Sequence, residues 1–355
     1  MPKAVSISKV DGKPGQVYYP LSLDEVPKPS PKGKEVVIKV HAAALNHRDL
    51  FIRQHLYPGT AFGVPLLADG CGTVIAVGTE ADAKWKGKRV VVNPGTGWKD
   101  SLDGPEEKSG YKILGGTKTN ANGTLQEYMC IDQGELEEAP EHLSSVEAAA
   151  FVLTGLTAWR AVMVKCGEHN LKPGKNILVT GTGGGVALFA LEFARAAGAN
   201  VFVTSSSEEK IKKAVALGAK GGINYKEDGW DKKLLASLPA ENKQLDAIVD
   251  GAGGDVISPG GVISVYGMTI SPKMPFLMQA VLKNIEVKGS TMGSRKEFKD
   301  MVNFIRTNKV KPVVSRVVQG FDLDAIDGLF EDMKKGSQFG KLVVEVSKEG
   351  ADSKL

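Results

Sequence analysis

Asn-Ile-Leu-Val-Thr-Gly-Thr-Gly-Gly-Gly-Val-Ala, residues 176–187, decides the fold. A short apolar run from Asn176 to Thr180 reads as a strand, and the Ala- and Phe-rich stretch Val186–Ala197 reads as a helix. Four glycines, Gly181, Gly183, Gly184 and Gly185, lie at the handover. Glycine lets a backbone approach a ligand closely, and the unpaired N–H groups at a helix start attract negative charge. A lone glycine-rich loop means little, but inside a strand-helix-strand unit it reads as a seat for a dinucleotide pyrophosphate. With Ala187 as the last small position, Gly184 is the middle glycine, and the first position falls on Thr182 with Gly181 beside it.

Outward from the loop the alternation continues. Gly198 closes the first helix, and Val201–Thr204 reads as a strand. Glu208–Leu217 is a helix closed by Gly218, and residues 222–225 form a further strand. More strands are expected at Leu245–Val249, Val262–Tyr266 and Glu286–Gly289. The pattern is a parallel sheet wound with helices. A sheet that selects NAD carries an acid about 20 residues beyond the loop to bond the ribose 2′-hydroxyl. This chain has Ser205, Ser206 and Ser207 there, with Lys210 one helical turn along and Tyr225 ending the next strand. Hydroxyls and a cation accept a 2′-phosphate that a carboxylate repels, so the reading favours NADPH over NADH. Ser205–Ser207 also suits a helix cap ahead of Glu208.

The segment before the loop reads differently. Short runs at Glu35–His41, Gly72–Val77, Lys88–Val92 and Leu125–Ile131, separated by Gly and Pro, suggest a small β-barrel. Ser144–Val164 then has helical spacing. The helix Lys296–Thr307 and the strand Lys341–Val346 bring the chain back.

The 355 residues suggest about two domains. A formal charge of +4, from 45 Lys and Arg against 41 Asp and Glu, is spread along the chain and argues against nucleic acid as the ligand. No run of eighteen apolar residues suggests a membrane span. Three scattered cysteines, Cys71, Cys130 and Cys166, form no C-x-x-C pair and fit a cytoplasmic protein. The terminal Ser353-Lys354-Leu355 matches a peroxisomal address.

The order of barrel, Gly155-Leu156-Thr157-Ala158-Trp159, glycine loop, Pro259-Gly260-Gly261 and Gly340-Lys341-Leu342-Val343 resembles the medium-chain dehydrogenase/reductase superfamily over nearly the whole chain. Asn46-His47-Arg48-Asp49, followed by Tyr57-Pro58-Gly59, looks like its zinc-independent quinone oxidoreductase branch. The resemblance implies an α/β protein: a GroES-like β-barrel catalytic domain (residues 1–140, rejoined by 286–355) and a Rossmann cofactor domain (141–285), with a cleft between them. Zinc-dependent members carry Cys-His where this chain has Asn46-His47, Gly-His-Glu at Ala68-Asp69-Gly70, and a cysteine near Leu153 or Thr154. Residues 93–116 hold no cysteine, so the four-cysteine lobe is absent too. No zinc is expected from these positions.

The resemblance thus implies an NADPH-dependent reductase of a small electrophile, a quinone, an enone or a related carbonyl, working as a homodimer. A carbonyl or alcohol oxidoreductase with another acceptor and a non-catalytic NADPH-binding protein are the alternatives. By resemblance Asn46 and Asp49 line the site, with helix capping as the rival role, and Tyr57 offers a hydroxyl to the acceptor, with loop packing as its rival. Gly183, Gly184, Gly185, Val186, Ser205, Lys210 and Tyr225 are expected to hold the cofactor. Thr157, Tyr266, Gly267 and Met268 are expected near the nicotinamide. One departure stands out: only residues 251–258 lie between the strand ending at Asp250 and Pro259, where relatives place a helix. An uncovered sheet face or an incomplete sequence is expected there.

Overall fold

The computed structural model describes residues 1–251, 261–267, 281–282 and 284–349. Met268, the terminal tripeptide and all of the short link except Gly251 fall outside these. Packing divides the chain into two compact units, Met1–Leu153 with Ser294–Leu355, and Thr154–Gly293.

The first unit is built on β3 (Glu35–Ala44), a ten-residue strand with nearly every side chain buried. It pairs antiparallel with β4 (Asp69–Val77), β8 (Tyr128–Asp132) and β17 (Lys341–Glu345). β16 (Val314–Gln319) and the pair β5 (Arg89–Val92) and β9 (Leu136–Glu138) extend the sheet to either side. Glycine is obligatory at Gly72, where a Cβ would stand 2.2 Å from the Lys39 carbonyl oxygen and force β3 and β4 apart. Phe330, Leu329 and Ile326 of the helix Leu323–Lys335 pack into one core with Ile7, Leu45, Ile52, Leu66 and Leu342. The register sets what comes next. Ala44 faces Asp69 on one side and Val343 on the other, so the end of β3 and the starts of β4 and β17 meet at one rim.

The second unit is a six-stranded sheet, all parallel, in the order β12 (Gly221–Asn224), β11 (Asn200–Ser205), β10 (Asn176–Val179), β13 (Ala247–Asp250), β14 (Val262–Val265), β15 (Glu286–Gly289). Side chains alternate across it. Leu178, Phe202, Ile248 and Ile263 meet Leu234 of the helix Trp230–Ser237, and Leu238 just past its end, on one face. The helix Gly185–Ala197, α4, packs against β10 and β11 and ends in the left-handed Gly198, φ 108°. Because Glu286–Gly289 pairs with β14, the chain rejoins the first unit at Ser294, later than the expected residue 286. The stretch read as one helix from Ser144 is instead Ser145–Ala150, Val152–Trp159 and a π-helical turn Arg160–Cys166. β13 and β14 pair in parallel across the short link.

Candidate functional site

At the rim of the first unit, Asn46 caps the helix His47–Arg53, α1, with extended backbone, φ −132° and ψ 159°. Its N–H donates to Asp49 Oδ2 at 2.8 Å. The other oxygen of Asp49 takes Arg48 Nη1 at 2.9 Å, and Arg48 Nη2 donates to the Gly115 carbonyl at 2.7 Å. Asp49 has no exposed surface; burial pushes its carboxyl up to about 6 against the opposing pull of Arg48. The Arg48 guanidinium lies 4.8 Å from the centre of the Tyr57 ring, a cation–π contact that holds the ring beside α1. Asn46, Asp49 and Tyr57 are thus brought to one place. Both oxygens of Asp49 are occupied from within, and this makes it a group that fixes Asn46.

Behind Asn46 lies a second charge pair. Lys341, the first residue of β17, is 3% exposed and gives its three ammonium donors to Leu45 O at 2.7 Å, Asn46 Oδ1 at 2.6 Å and Asp69 Oδ2 at 2.8 Å. Asp69 Oδ1 accepts the Leu153 N–H at 2.8 Å. Burial pushes the Asp69 carboxyl up, and the Lys341 ammonium opposes this. Two positions before it, Leu67 sits at φ 66° with its side chain fully buried, a left-handed conformation costing roughly 1–2 kcal/mol for an L-residue. His47 reaches solvent, yet its imidazole is held below the ordinary value by partial desolvation and by Lys341.

These donors do not fit zinc. Asp69 is committed to an ammonium and a backbone N–H. Among the described residues no three His, Cys, Asp or Glu side chains gather as metal donors.

In the second unit the polar residues collect at the carboxyl ends of the parallel strands, where open sheets of this kind bind ligands. Gly184 is the N-cap of α4, and a Cβ there would meet nothing within 4 Å. The loop thus leaves open space before a helix N-terminus, which fits a pyrophosphate. Gly185 and Val186 open the helix itself. Gly183 has φ 130°, and the Lys210 side chain lies over it, with Nζ 3.2 Å from where a Cβ would stand. Ser205 ends β11 buried: its hydroxyl donates to Thr182 O and receives the Ser207 N–H, both at 3.3 Å. Ser207 caps the helix Glu208–Ala216 by accepting Lys210 N–H at 3.4 Å. The Tyr225 N–H bonds the Ser205 carbonyl at 3.3 Å. Gly183, Ser205, Lys210 and Tyr225 are therefore neighbours; Ser207 is the helix cap, and the Ser205 hydroxyl is engaged within the chain.

Tyr266 follows β14 and Gly267 follows it; the Tyr266 ring lies over Gly251, where a Cβ would stand 2.1 Å from its Cζ. Burial and Asp250 push the Tyr266 hydroxyl well above its ordinary value. The buried Thr157 donates to the Met292 sulfur at 3.7 Å.

Nothing in the local sequence gives a role to Asp69, Lys341 or Arg48. A signal is present in Lys341, a cation opening the apolar run Leu342-Val343-Val344, but its partner stands 272 positions away.

Two family models match, the alcohol dehydrogenase GroES-like domain over residues 32–141 and the zinc-binding dehydrogenase domain over 185–307. The chain is 51% identical to the zinc-type alcohol dehydrogenase-like protein YogA of Leptosphaeria maculans, over 98% of this chain and all of that one. It is 35% identical to the zinc-type alcohol dehydrogenase-like protein C1773.06c of Schizosaccharomyces pombe, over 91% and 93%. A crystal structure of an NAD-dependent alcohol dehydrogenase superposes with a TM-score of 0.83 at 31% identity, covering 97% of this chain and all of that one. The chain belongs to the medium-chain dehydrogenase/reductase superfamily. Within it, this is an oxidoreductase of a family that binds a nicotinamide cofactor, similar along its length to proteins named as zinc-type alcohol dehydrogenase-like. Among the described residues no helix is long and apolar enough to cross a membrane.

Proposed function

We propose that the protein is a zinc-free, NADPH-dependent reductase of quinones, enones or related activated carbonyls. The observation that carries this reading is the closed cluster of Lys341, Asp69 and Asn46, in which the side chain standing at the position of the metal-dependent members' histidine is a carboxylate already paired with a fixed ammonium. Without a Lewis acid, an unactivated alcohol lacks the group that would stabilise its alkoxide, whereas an electron-poor acceptor needs only hydrogen-bond donors.

The glycine loop, Gly183 to Val186, would hold the pyrophosphate, and Lys210 with Tyr225 would take the 2′-phosphate beside the acid-free end of β11. Thr157, Tyr266 and Gly267 are assigned to the nicotinamide end. Bound there, the cofactor supplies hydride. Asn46 Nδ2 donates to the acceptor oxygen as it gains charge, and the Tyr57 hydroxyl is its second donor. Asp49, through the Asn46 N–H, keeps the donor in place. Water provides the final proton.

The test is a fluorescence titration with NADPH and NADH, followed by NADPH oxidation with para-benzoquinone and methyl vinyl ketone in the presence of a chelator. NADPH is expected to bind more tightly, Lys210→Ala to cut its advantage about tenfold, and the chelator to leave turnover unchanged. Tighter NADH binding, or a tightly held zinc whose removal stops turnover, would overturn the reading. NADPH binding with no acceptor reduced would favour the non-catalytic alternative.

A further inference from the structure

The proposed reaction uses Asn46 Nδ2 as a donor but does not say what orients the carboxamide. Asn46 is 5% exposed, and its Nδ2 is fully enclosed with no hydrogen-bond partner among the described residues. Buried polar groups are nearly always paired, so an orphaned donor marks either a fault in packing or a place kept for a ligand. The direction of the carboxamide follows from chemistry. An ammonium carries donors only, so the atom 2.6 Å from Lys341 Nζ must be the carboxamide oxygen. The nitrogen is thereby turned away from Lys341.

We infer that Lys341 is a positioning residue: by taking Asn46 Oδ1 it locks the carboxamide so that Nδ2 is held as a donor to an acceptor-only oxygen of the substrate. The lock is fixed from both sides. Lys341 is anchored by Leu45 O and Asp69 Oδ2, and Asp69 by the Leu153 N–H. On the other side the Asn46 backbone is held by Asp49, and Asp49 by Arg48. Charges alternate through the array, Arg48, Asp49, then Lys341, Asp69, with the neutral carboxamide between the two pairs. A carbonyl or quinone oxygen matches such a donor. The preference for that oxygen rests on the proposed function; the orientation of the carboxamide does not.

The rival is that Lys341 and Asp69 merely staple three strand ends together. Lys341→Met with Asp69→Asn separates the two, because it removes both charges and so leaves no buried ion unpaired, yet takes away the group that orients Asn46. With para-benzoquinone as acceptor and saturating NADPH, kcat/KM is expected to fall at least tenfold while the melting temperature stays within a few degrees and NADPH affinity is unchanged. Wild-type kcat/KM in this folded variant would overturn the lock. Asn46→Asp covers the case in which the double variant fails to fold. It keeps an oxygen for Lys341 and replaces the donor by a carboxyl oxygen, whose added charge also opposes charge on the acceptor, so at least the same tenfold loss is expected, and full activity would again sink the inference. In wild-type protein labelled with ¹⁵N-asparagine, the Asn46 amide protons are expected to give no strong cross-relaxation to the Lys341 ε-methylene. A strong cross-peak would overturn the orientation even if no acceptor were ever reduced, which keeps the lock and the reaction separately testable.

Discussion

The two units prepare for a ligand in opposite ways. The rim of the first is filled: Lys341 uses all three donors, Asp69 and Asp49 use both oxygens, and among the described residues Asn46 Nδ2 and Arg48 Nε are the atoms of this cluster left without a partner. The strand ends of the second are left open, with space around Gly184 and a helix start behind it. On the proposed function, specificity in the first comes from internal charge pairs that over-determine one atom. In the second it comes from missing side chains, which let backbone reach the ligand. Damage should therefore fall on folding in one case and on binding in the other.

The largest effect is expected for Asp69→Ala. It leaves the Lys341 ammonium and the Leu153 N–H buried without their partner, and a broken buried pair costs about 3–5 kcal/mol. Chemical denaturation measures this, and a loss below 1 kcal/mol would show that the pair is screened by water and that the rim is not closed. Gly184→Ala should do the reverse. Its φ of −79° suits alanine and its Cβ meets nothing within 4 Å, so only the poorer N-cap is felt and stability should fall by about 1 kcal/mol or less. NADPH affinity should fall at least tenfold by fluorescence titration, because the methyl group occupies the approach to the phosphates. Unchanged affinity would mean the space serves no ligand.

The smallest effect concerns a carboxylate that stays in water. Glu106 accepts the N–H groups of Lys99 and Ser101 at 2.6 Å and of Asp100 at 2.9 Å, and these hold its carboxyl down to about 2 from an ordinary 4.5. Because the folded value is depressed, the contribution is complete above pH 4.5 and is lost as pH falls toward about 2. Amide exchange at Lys99, Asp100 and Ser101 should quicken in that window while the melting temperature hardly reflects Glu106→Gln. Exchange that is flat across the window would remove the contrast between enclosed and open charges.

The second unit was legible because its signals are local. A short run such as Asn176–Val179, glycines that require positive φ at Gly183 and Gly198, and a capping serine at 207 each act within a few residues, and the observed elements follow them closely. Ser144–Val164 misled because it is apolar nearly all round. Spacing then carries no phase, and the break at Phe151 and the π-turn from Arg160 leave no periodic trace. The resemblance put Asn46 and Asp49 together, and the structure joins them through the Asn46 N–H. Their partners stayed hidden because Lys341 and Asp69 reach them through the register of β3, β4 and β17, which no local pattern encodes.

The joining of both chain ends in one unit has a consequence for synthesis. Asp69 leaves the ribosome 272 residues ahead of Lys341. At roughly 5–20 residues per second, the acid waits on the order of 15–50 s for its counter-ion. Throughout that interval the nascent amino-terminal portion carries a carboxylate with no cation to bury against, so it stays unfinished, and exposed to chaperones, while the intervening cofactor portion is already able to fold.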